Sequence, residues 1–306
     1  MSPIPPDLKR KEDDLHARLR RAEGVLVAFS GGVDSSYLAL AAHRALGARA
    51  LAVTALSPSY PASHRAAAES VVRITGLAHR FVDTHEMESA DYRANRADRC
   101  YHCKSELFAV LGRLRDELGF AAVAYGVNTD DRGDFRPGHR AAEERGVLSP
   151  FLDVGLSKAE IRALARAHDL PTADLPASAC LASRLPYGTQ VTPERLAQVD
   201  AGEERLRALG FRQLRVRHHG TLARVEIDPA ELPRALDPAM AQRIVAALKP
   251  LGFSFVSLDL EGYRTGALNE ALRVLPEADR APGAARTGTG SVANSAEAAT
   301  GGDARA

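Results

Sequence analysis

The chain has 306 residues, 45% hydrophobic and 26% charged, with a formal net charge of +1. That is enough chain for two cores, and the near-neutral balance gives no electrostatic case for tight nucleic-acid binding. No apolar run reaches the ~20 residues of a membrane span, and residues 1–21 lack the apolar stretch of a signal peptide, so a cytoplasmic protein without a membrane partner is expected.

Residues 7–22 read as an exposed, charge-laced helix leading to the apolar run Val25-Leu26-Val27-Ala28-Phe29. That strand stops at Ser30-Gly31-Gly32, and a helical pattern runs from there to Leu46, ended by Gly47. A strand over 50–56, a helix over 61–75 and a strand over 79–82 follow. The pattern resumes with a fourth strand over 121–127. Strands and helices alternating at this spacing predict an α/β fold with a doubly wound parallel sheet. Ser157-Lys158-Ala159-Glu160 is a capping box opening a helix to His168, after which Pro171, Pro176 and Pro186 give an extended connection. From Thr192, a helix N-cap followed by Pro193, the texture changes. A helix to 209, strands over 213–217 and 222–227, a helix over 239–248 and a strand over 253–260 form a smaller α+β unit. The expected division is therefore 1–190, 191–275 and a disordered tail at 276–306, where little can be buried.

The turn Ser30-Gly31-Gly32-Val33-Asp34-Ser35 joins a strand to a helix. Glycines there let a phosphate approach the main chain, and the amides of the helix start favour an anion. Ser30 and Ser35 add hydroxyls, and Asp34 adds a carboxylate suited to Mg2+. Neither the Walker pattern nor Gly-x-Gly-x-x-Gly is present. The six residues instead resemble the PP-loop of ATP pyrophosphatases, which cleave ATP between its α and β phosphates. Gly126, Asn128, Asp130, Asp131 and Asp134 follow the fourth strand and are expected to face this loop across the crevice at the strand ends.

Three cysteines in a cytosolic chain point to thiol or metal chemistry. Cys100 and Cys103 form a Cys-x-x-Cys after Asp98, a candidate N-cap, with Leu107, Leu111, Leu114 and Leu118 as a helical stripe behind them. A helix start lowers thiol pKa. Cys180 lies in the Pro-interrupted connection. Spacing leaves a redox pair, a zinc site completed by His102 or His85, and a three-thiolate 4Fe-4S cluster all open, with zinc and iron–sulfur equally supported.

Three motifs then coincide: the PP-loop, Gly126-Val-Asn-Thr-Asp-Asp-x-x-Asp134-x-Arg136-Pro-Gly138, and Pro176-Ala-Ser-Ala-Cys180-Leu-Ala-Ser-Arg184-Leu-Pro-Tyr-Gly188. Together they closely resemble the LarE family of ATP-dependent sulfur transferases, over residues 10–270. The resemblance implies a PP-loop domain followed by a smaller α+β domain, and a homo-oligomer. It implies transfer of AMP from ATP to a carboxylate of pyridinium-3,5-biscarboxylic acid mononucleotide, then displacement by sulfur. Members with only the cysteine matching Cys180 give up its sulfur, whereas three-cysteine members resemble cluster enzymes. Cys100 and Cys103 beside Cys180 place this chain with the latter; the sulfur donor to such a cluster is not readable.

Arg184, Arg215 and Arg217 are suited to the substrate phosphate, since guanidinium binds phosphate through paired hydrogen bonds; Arg215 and Arg217 share one strand face. Glu204 and Glu226 match acidic positions that the family places near substrate or metal. The arginine pair also reads as the wet side of a strand, and Glu204 as a plain surface charge. Two rival functions share the scaffold: a PP-loop tRNA thiolase, which the missing basic, aromatic RNA surface disfavours, and a non-catalytic AMP-binding or metal-sensing protein.

Overall fold

The computed structural model describes residues 4–131, 137–176, 179–264 and 266–270. Asp134 and Arg136 of the second motif, Ala177 and Ser178 of the third, and the 276–306 tail lie outside the described residues.

The first half is a four-stranded parallel sheet of order β3-β2-β1-β4. Helix α1 (Pro6–Arg20) precedes β1 (Val25–Ala28); α2 (Val33–Leu46), β2 (Ala50–Leu56), α3 (Ala62–Thr75) and β3 (His79–Asp83) then march to one side. The chain crosses back through α4 (Ala90–Arg93) and α5 (Arg99–Leu118) to set β4 (Ala122–Tyr125) on the other side of β1. Alternation along β1 sends Val25 and Val27 into a cluster with Leu38, Ala42 and Val71, and Leu26 into one with Phe108, Leu111 and Leu114. Helices therefore cover both faces, which makes the sheet doubly wound. The order reverses between β1 and β4, and ligands of open α/β sheets sit outside the strand ends at such a point.

Helix α1 differs from its expected exposure. Leu8, Leu15 and Leu19 are buried, and so is Glu12. Glu12 accepts from the Tyr37 hydroxyl (3.0 Å) on α2 and pairs with His168 Nε2 (2.5 Å). Charge along the outer face concealed an inner apolar stripe.

After β4 come α6 (Pro137–Glu143), α7 (Pro150–Asp153) and α8 (Lys158–Ala167). The capping box forms as the sequence predicts: Glu160 N–H donates to Ser157 Oγ (3.3 Å) and Ser157 N–H to Glu160 Oε2 (2.8 Å). Helix α9 (Pro193–Ala208) starts at Thr192, whose Oγ1 accepts from Arg195 N–H (3.3 Å). Strands β5 (Leu214–His219) and β6 (Leu222–Ile227) pair antiparallel, and after α10 (Leu232–Leu236) and α11 (Pro238–Leu248), β7 (Phe255–Leu258) joins β6 in parallel. This second sheet has its own apolar cluster, including Leu206, Leu214, Val216, Val225 and Leu248. Among the described residues, no helix is long and apolar enough to cross a membrane.

Candidate functional site

The PP-loop closes on itself through serines. Ser30 N–H donates to Ser35 Oγ (3.1 Å), the two hydroxyls are 3.1 Å apart, and Ser35 Oγ donates to the Gly32 carbonyl (3.1 Å). The two glycines have different causes. Gly31 takes φ +78°, and a Cβ there would stand 2.6 Å from the His64 carbonyl oxygen. Gly32 has an ordinary φ of −78°, and its Cβ would meet only Ser30 Oγ, at 3.6 Å. The first glycine serves the protein's own packing and the second leaves the outer side open. Gly126, at the end of β4, approaches the start of α2 so closely that a Cβ would lie 3.0 Å from Asp34 C and Ser35 N.

That approach brings the acidic loop to the PP-loop. Asp131 Oδ2 accepts from Asn128 N–H (3.1 Å), and Asn128 Oδ1 accepts from Asp130 N–H (3.0 Å). Asp34 Oδ2 is ion-paired with Lys158 Nζ, while Asp34 Oδ1 is buried with no hydrogen-bond partner. Burial raises the Asp34 carboxyl above the usual range, Lys158 opposes that, and nearby Asp131 reinforces it. A buried, unpaired carboxylate oxygen beside a second carboxylate suits a hard cation. Lys158, which the sequence shows only as part of a capping box, thus pairs with a carboxylate of the candidate site.

The Cys180 turn is held from several sides. Leu181 N–H donates to the Ser59 carbonyl (2.9 Å), and the neighbouring Tyr60 hydroxyl donates to the Ser30 carbonyl (3.0 Å). One turn after β2 therefore pins both the PP-loop and the cysteine loop. It also walls a cavity of about 540 Å³ over the ends of β2 and β3, lined by Ser57, Tyr60, Arg65, Asp83 and Asp200 among others.

Cys103 and Cys180 pack against one apolar cluster containing Tyr92, Leu181 and Leu185. Cys103 is within electrostatic reach of Cys100 and Cys180. The expected acidification of the pair is not what Cys103 experiences: burial pushes its thiol up, and Glu86 and Cys180 add to the rise. Cys103 lies in the second turn of α5, past the reach of the helix end, and Asp98 makes no side-chain cap bond. Among the described residues, no three His, Cys, Asp or Glu side chains are grouped to hold a metal ion. His102 Nε2 lies 3.6 Å from Asp98 and His85 Nδ1 lies 3.6 Å from Glu88. Cys103 and Cys180 share that apolar wall while Cys100 is exposed; cysteine thiolates are the donor type that iron–sulfur clusters use.

The arginines sit inside rather than on a wet surface. Arg184 is fully buried, forked onto Glu203 (2.8 and 3.0 Å). Arg217 is forked onto Glu226 (2.8 and 2.7 Å). Arg215 is buried, lies 4.9 Å from the Tyr263 ring centre and donates to the Leu214 carbonyl. Burial, then Arg184, lower the Arg215 pKa to about 10. Burial and the same arginines hold His64, on the first turn of α3, at about 4 and hence neutral. Glu204 lies apart from this group, 46% exposed and paired with Arg207 (2.6 Å). Its neighbour Glu203 is the buried acid. A signal for that existed: Glu203 falls on the stripe Leu196, Val199, Leu206, which is buried.

No protein-family model matches the chain. A Lactiplantibacillus plantarum protein named pyridinium-3,5-bisthiocarboxylic acid mononucleotide synthase is 34% identical over 266 residues, covering 87% of this chain and 96% of that one. The chain belongs to the LarE family. An uncharacterized Synechocystis protein is 42% identical to this LarE-family chain over 265 residues, 87% of it and 99% of the relative. An uncharacterized Methanocaldococcus jannaschii protein is 32% identical over 171 residues, 56% of this chain and 66% of its own length.

Proposed function

We propose that this chain is an ATP-dependent sulfurtransferase that adenylates a carboxylate of pyridinium-3,5-biscarboxylic acid mononucleotide and converts it to a thiocarboxylate. The observation that carries this reading is the shared anchor: the 57–60 turn bonds the PP-loop through Tyr60 and the Cys180 loop through Ser59. A nucleotide-activating loop and a thiol loop tied to one turn suit an activation followed by a transfer.

In the first step, a substrate carboxylate oxygen bonds to the α-phosphorus of ATP, and the bond to the bridging α,β oxygen breaks, releasing pyrophosphate. Ser30, Ser35 and the Gly31 and Gly32 amides would cradle the phosphates, with Gly126 and Asn128 walling the crevice. Asp34 and Asp131 would hold Mg2+, which when bound supplies neutralising charge to the phosphates. Lys158 would then release Asp34 and follow the developing charge on the leaving group. In the second step, sulfur adds to the activated carbonyl carbon and AMP leaves with the electron pair of the broken acyl–oxygen bond. Cys100, Cys103 and Cys180 would hold a 4Fe-4S cluster, which when bound would supply that sulfur as sulfide. Arg215, beside Tyr263, is the candidate for the substrate phosphate.

The test is pyrophosphate exchange and product mass with the pyridinium dicarboxylate mononucleotide. Exchange that requires this substrate, with a product heavier by the sulfur-for-oxygen difference, is expected. Pyrophosphate release without the substrate, or with tRNA in its place, would overturn the reading.

A further inference from the structure

The carbonyls around Cys180 are loaded with buried guanidinium donors from three directions. Arg184 Nη1 donates to the Ala179 (2.7 Å) and Cys180 (3.0 Å) carbonyls. Arg217 Nη1 reaches across from β5 to the Ser183 carbonyl (2.7 Å). Arg99 Nη1, from the first turn of α5, donates to the Ala182 carbonyl (2.9 Å). All three arginines are buried. Each has an oxygen partner behind it: Glu203 for Arg184, Glu226 for Arg217, and the Asn95 side chain for Arg99. Glu203 does more than neutralise. Its Oε1 also accepts from Val216 N–H (3.3 Å) and its Oε2 from Arg207 (2.9 Å), which ties the clamp to β5 and α9.

A carbonyl that leaves such a donor inside the protein finds no water, so it forfeits the hydrogen bond and strands a buried cation. The turn therefore has one low-energy geometry, and the Cα–Cβ direction of Cys180 is set with it. Reaction rates depend steeply on that kind of placement, because a misalignment of about 1 Å costs on the order of a hundredfold.

We propose that Arg99 and Glu203 are positioning residues for Cys180. They aim the thiol by bracing the backbone of residues 179–184 from α5 and α9, without touching the reacting atoms. The proposal rests on the reading of Cys180 as the sulfur-handling thiol, and its backbone half stands independently of it.

The experiment uses full-length Arg99→Lys, Arg99→Met and Glu203→Gln proteins with two readouts. Hydrogen exchange by mass spectrometry follows the peptide spanning 179–185 against peptides of β1 and α2. Kinetics separate thiocarboxylate formation from pyrophosphate exchange. Exchange at 179–185 should quicken with β1 and α2 unchanged, and the thiocarboxylate kcat should fall about tenfold or more at unchanged KM for ATP. Arg99→Lys, which keeps the charge but loses the planar guanidinium, should fall between wild type and Arg99→Met. Wild-type exchange at 179–185 in all three variants, or kcat and pyrophosphate exchange falling together, would overturn the proposal. Should the wild type make no thiocarboxylate, the sulfur-transfer reading fails, and hydrogen exchange alone decides whether the clamp exists.

Discussion

Replacing Gly31 and Gly32 by alanine, one at a time, separates what the fold needs from what the nucleotide needs. At Gly31, φ is +78° and the added Cβ would meet two backbone atoms of α3, the His64 oxygen at 2.6 Å and the Ala68 nitrogen at 3.0 Å. A left-handed alanine costs about 1–2 kcal/mol, and overpacking against atoms that cannot turn away adds about 1–3 kcal/mol. Gly31→Ala should therefore lose about 2–5 kcal/mol of stability. At Gly32 the backbone is ordinary and the nearest protein atom is Ser30 Oγ at 3.6 Å. The poorer N-cap costs on the order of 0.5–1 kcal/mol, and reduced freedom of the unfolded chain returns about 0.4–1 kcal/mol, so stability should barely move. The Cβ would instead enter the space assigned to a phosphate in the proposed reaction, and a tenfold loss of ATP affinity, about 1.4 kcal/mol, is the smallest effect expected. Urea midpoints without nucleotide give the first quantity and titration calorimetry with ATP the second. Equal destabilisation by the two variants, or wild-type ATP affinity in Gly32→Ala, would refute the division of labour.

Lys158→Met should cut pyrophosphate exchange by about a hundredfold; an unchanged rate would remove Lys158 from the phosphate site. Glu203→Ala should cost about 3–5 kcal/mol, because it strands buried Arg184, whereas Glu204→Ala should stay within about 0.5 kcal/mol; chemical denaturation of both reads the contrast. Burial alone would raise the Glu12 carboxyl, but hydrogen bonds from His168, Lys9 and Tyr37 outweigh it and bring it from 4.5 to about 2. A depressed folded-state pKa stabilises above the unfolded value and loses that stability as pH falls through the folded one. Glu12→Gln should thus be less stable by about 3 kcal/mol at pH 7, and the gap in urea midpoints should close between pH 4.5 and 2. A gap of the same size at both ends of that range would mean that Glu12 acts by shape and not by charge.

The parallel sheet was legible because its strands are short apolar runs, punctuated by Gly31-Gly32, Gly47 and Gly76, and separated by helix-length segments. Capping chemistry located α8 and α9 for the same local reason. What the sequence hid depends on direction. Arg184 and Arg217 look like phosphate ligands in a list of residue types, but their forks close on Glu203 and Glu226, and Nη1 of each donates to backbone carbonyls. Glu203 was readable from helical spacing, since an acid in register with Leu196, Val199 and Leu206 must point inward. Arg99 carried no such signal; its partner, the Ala182 carbonyl, is 83 residues away. Cys103 shows why a motif does not give a pKa: one turn along α5 replaces the helix end by the buried neighbourhood of Glu86 and Tyr92.

The turn at 57–60 bears on the order of events in the proposed reaction. An acyl adenylate is a mixed carboxylic–phosphoric anhydride, so water competes with sulfur for it until transfer is complete, and exclusion of water matters more than speed alone. Two loops on separate flexible tethers would lengthen that exposure. Here Ser59 and Tyr60 are adjacent, so the carbonyl that accepts from Leu181 and the hydroxyl that donates to Ser30 move together. Ser59 Oγ in turn donates to buried Glu86 (3.0 Å), whose carboxylate lies within electrostatic reach of Cys103. A displacement of the PP-loop on nucleotide binding would thus reach Cys180 through two hydrogen bonds and one peptide unit. Tyr60→Phe removes only the first of these bonds, leaving Ser59 and the thiol loop as they were. It should therefore spare pyrophosphate exchange and raise the fraction of adenylate lost to hydrolysis, measured as AMP formed per thiocarboxylate. An unchanged ratio would show that the two loops act independently despite their common anchor.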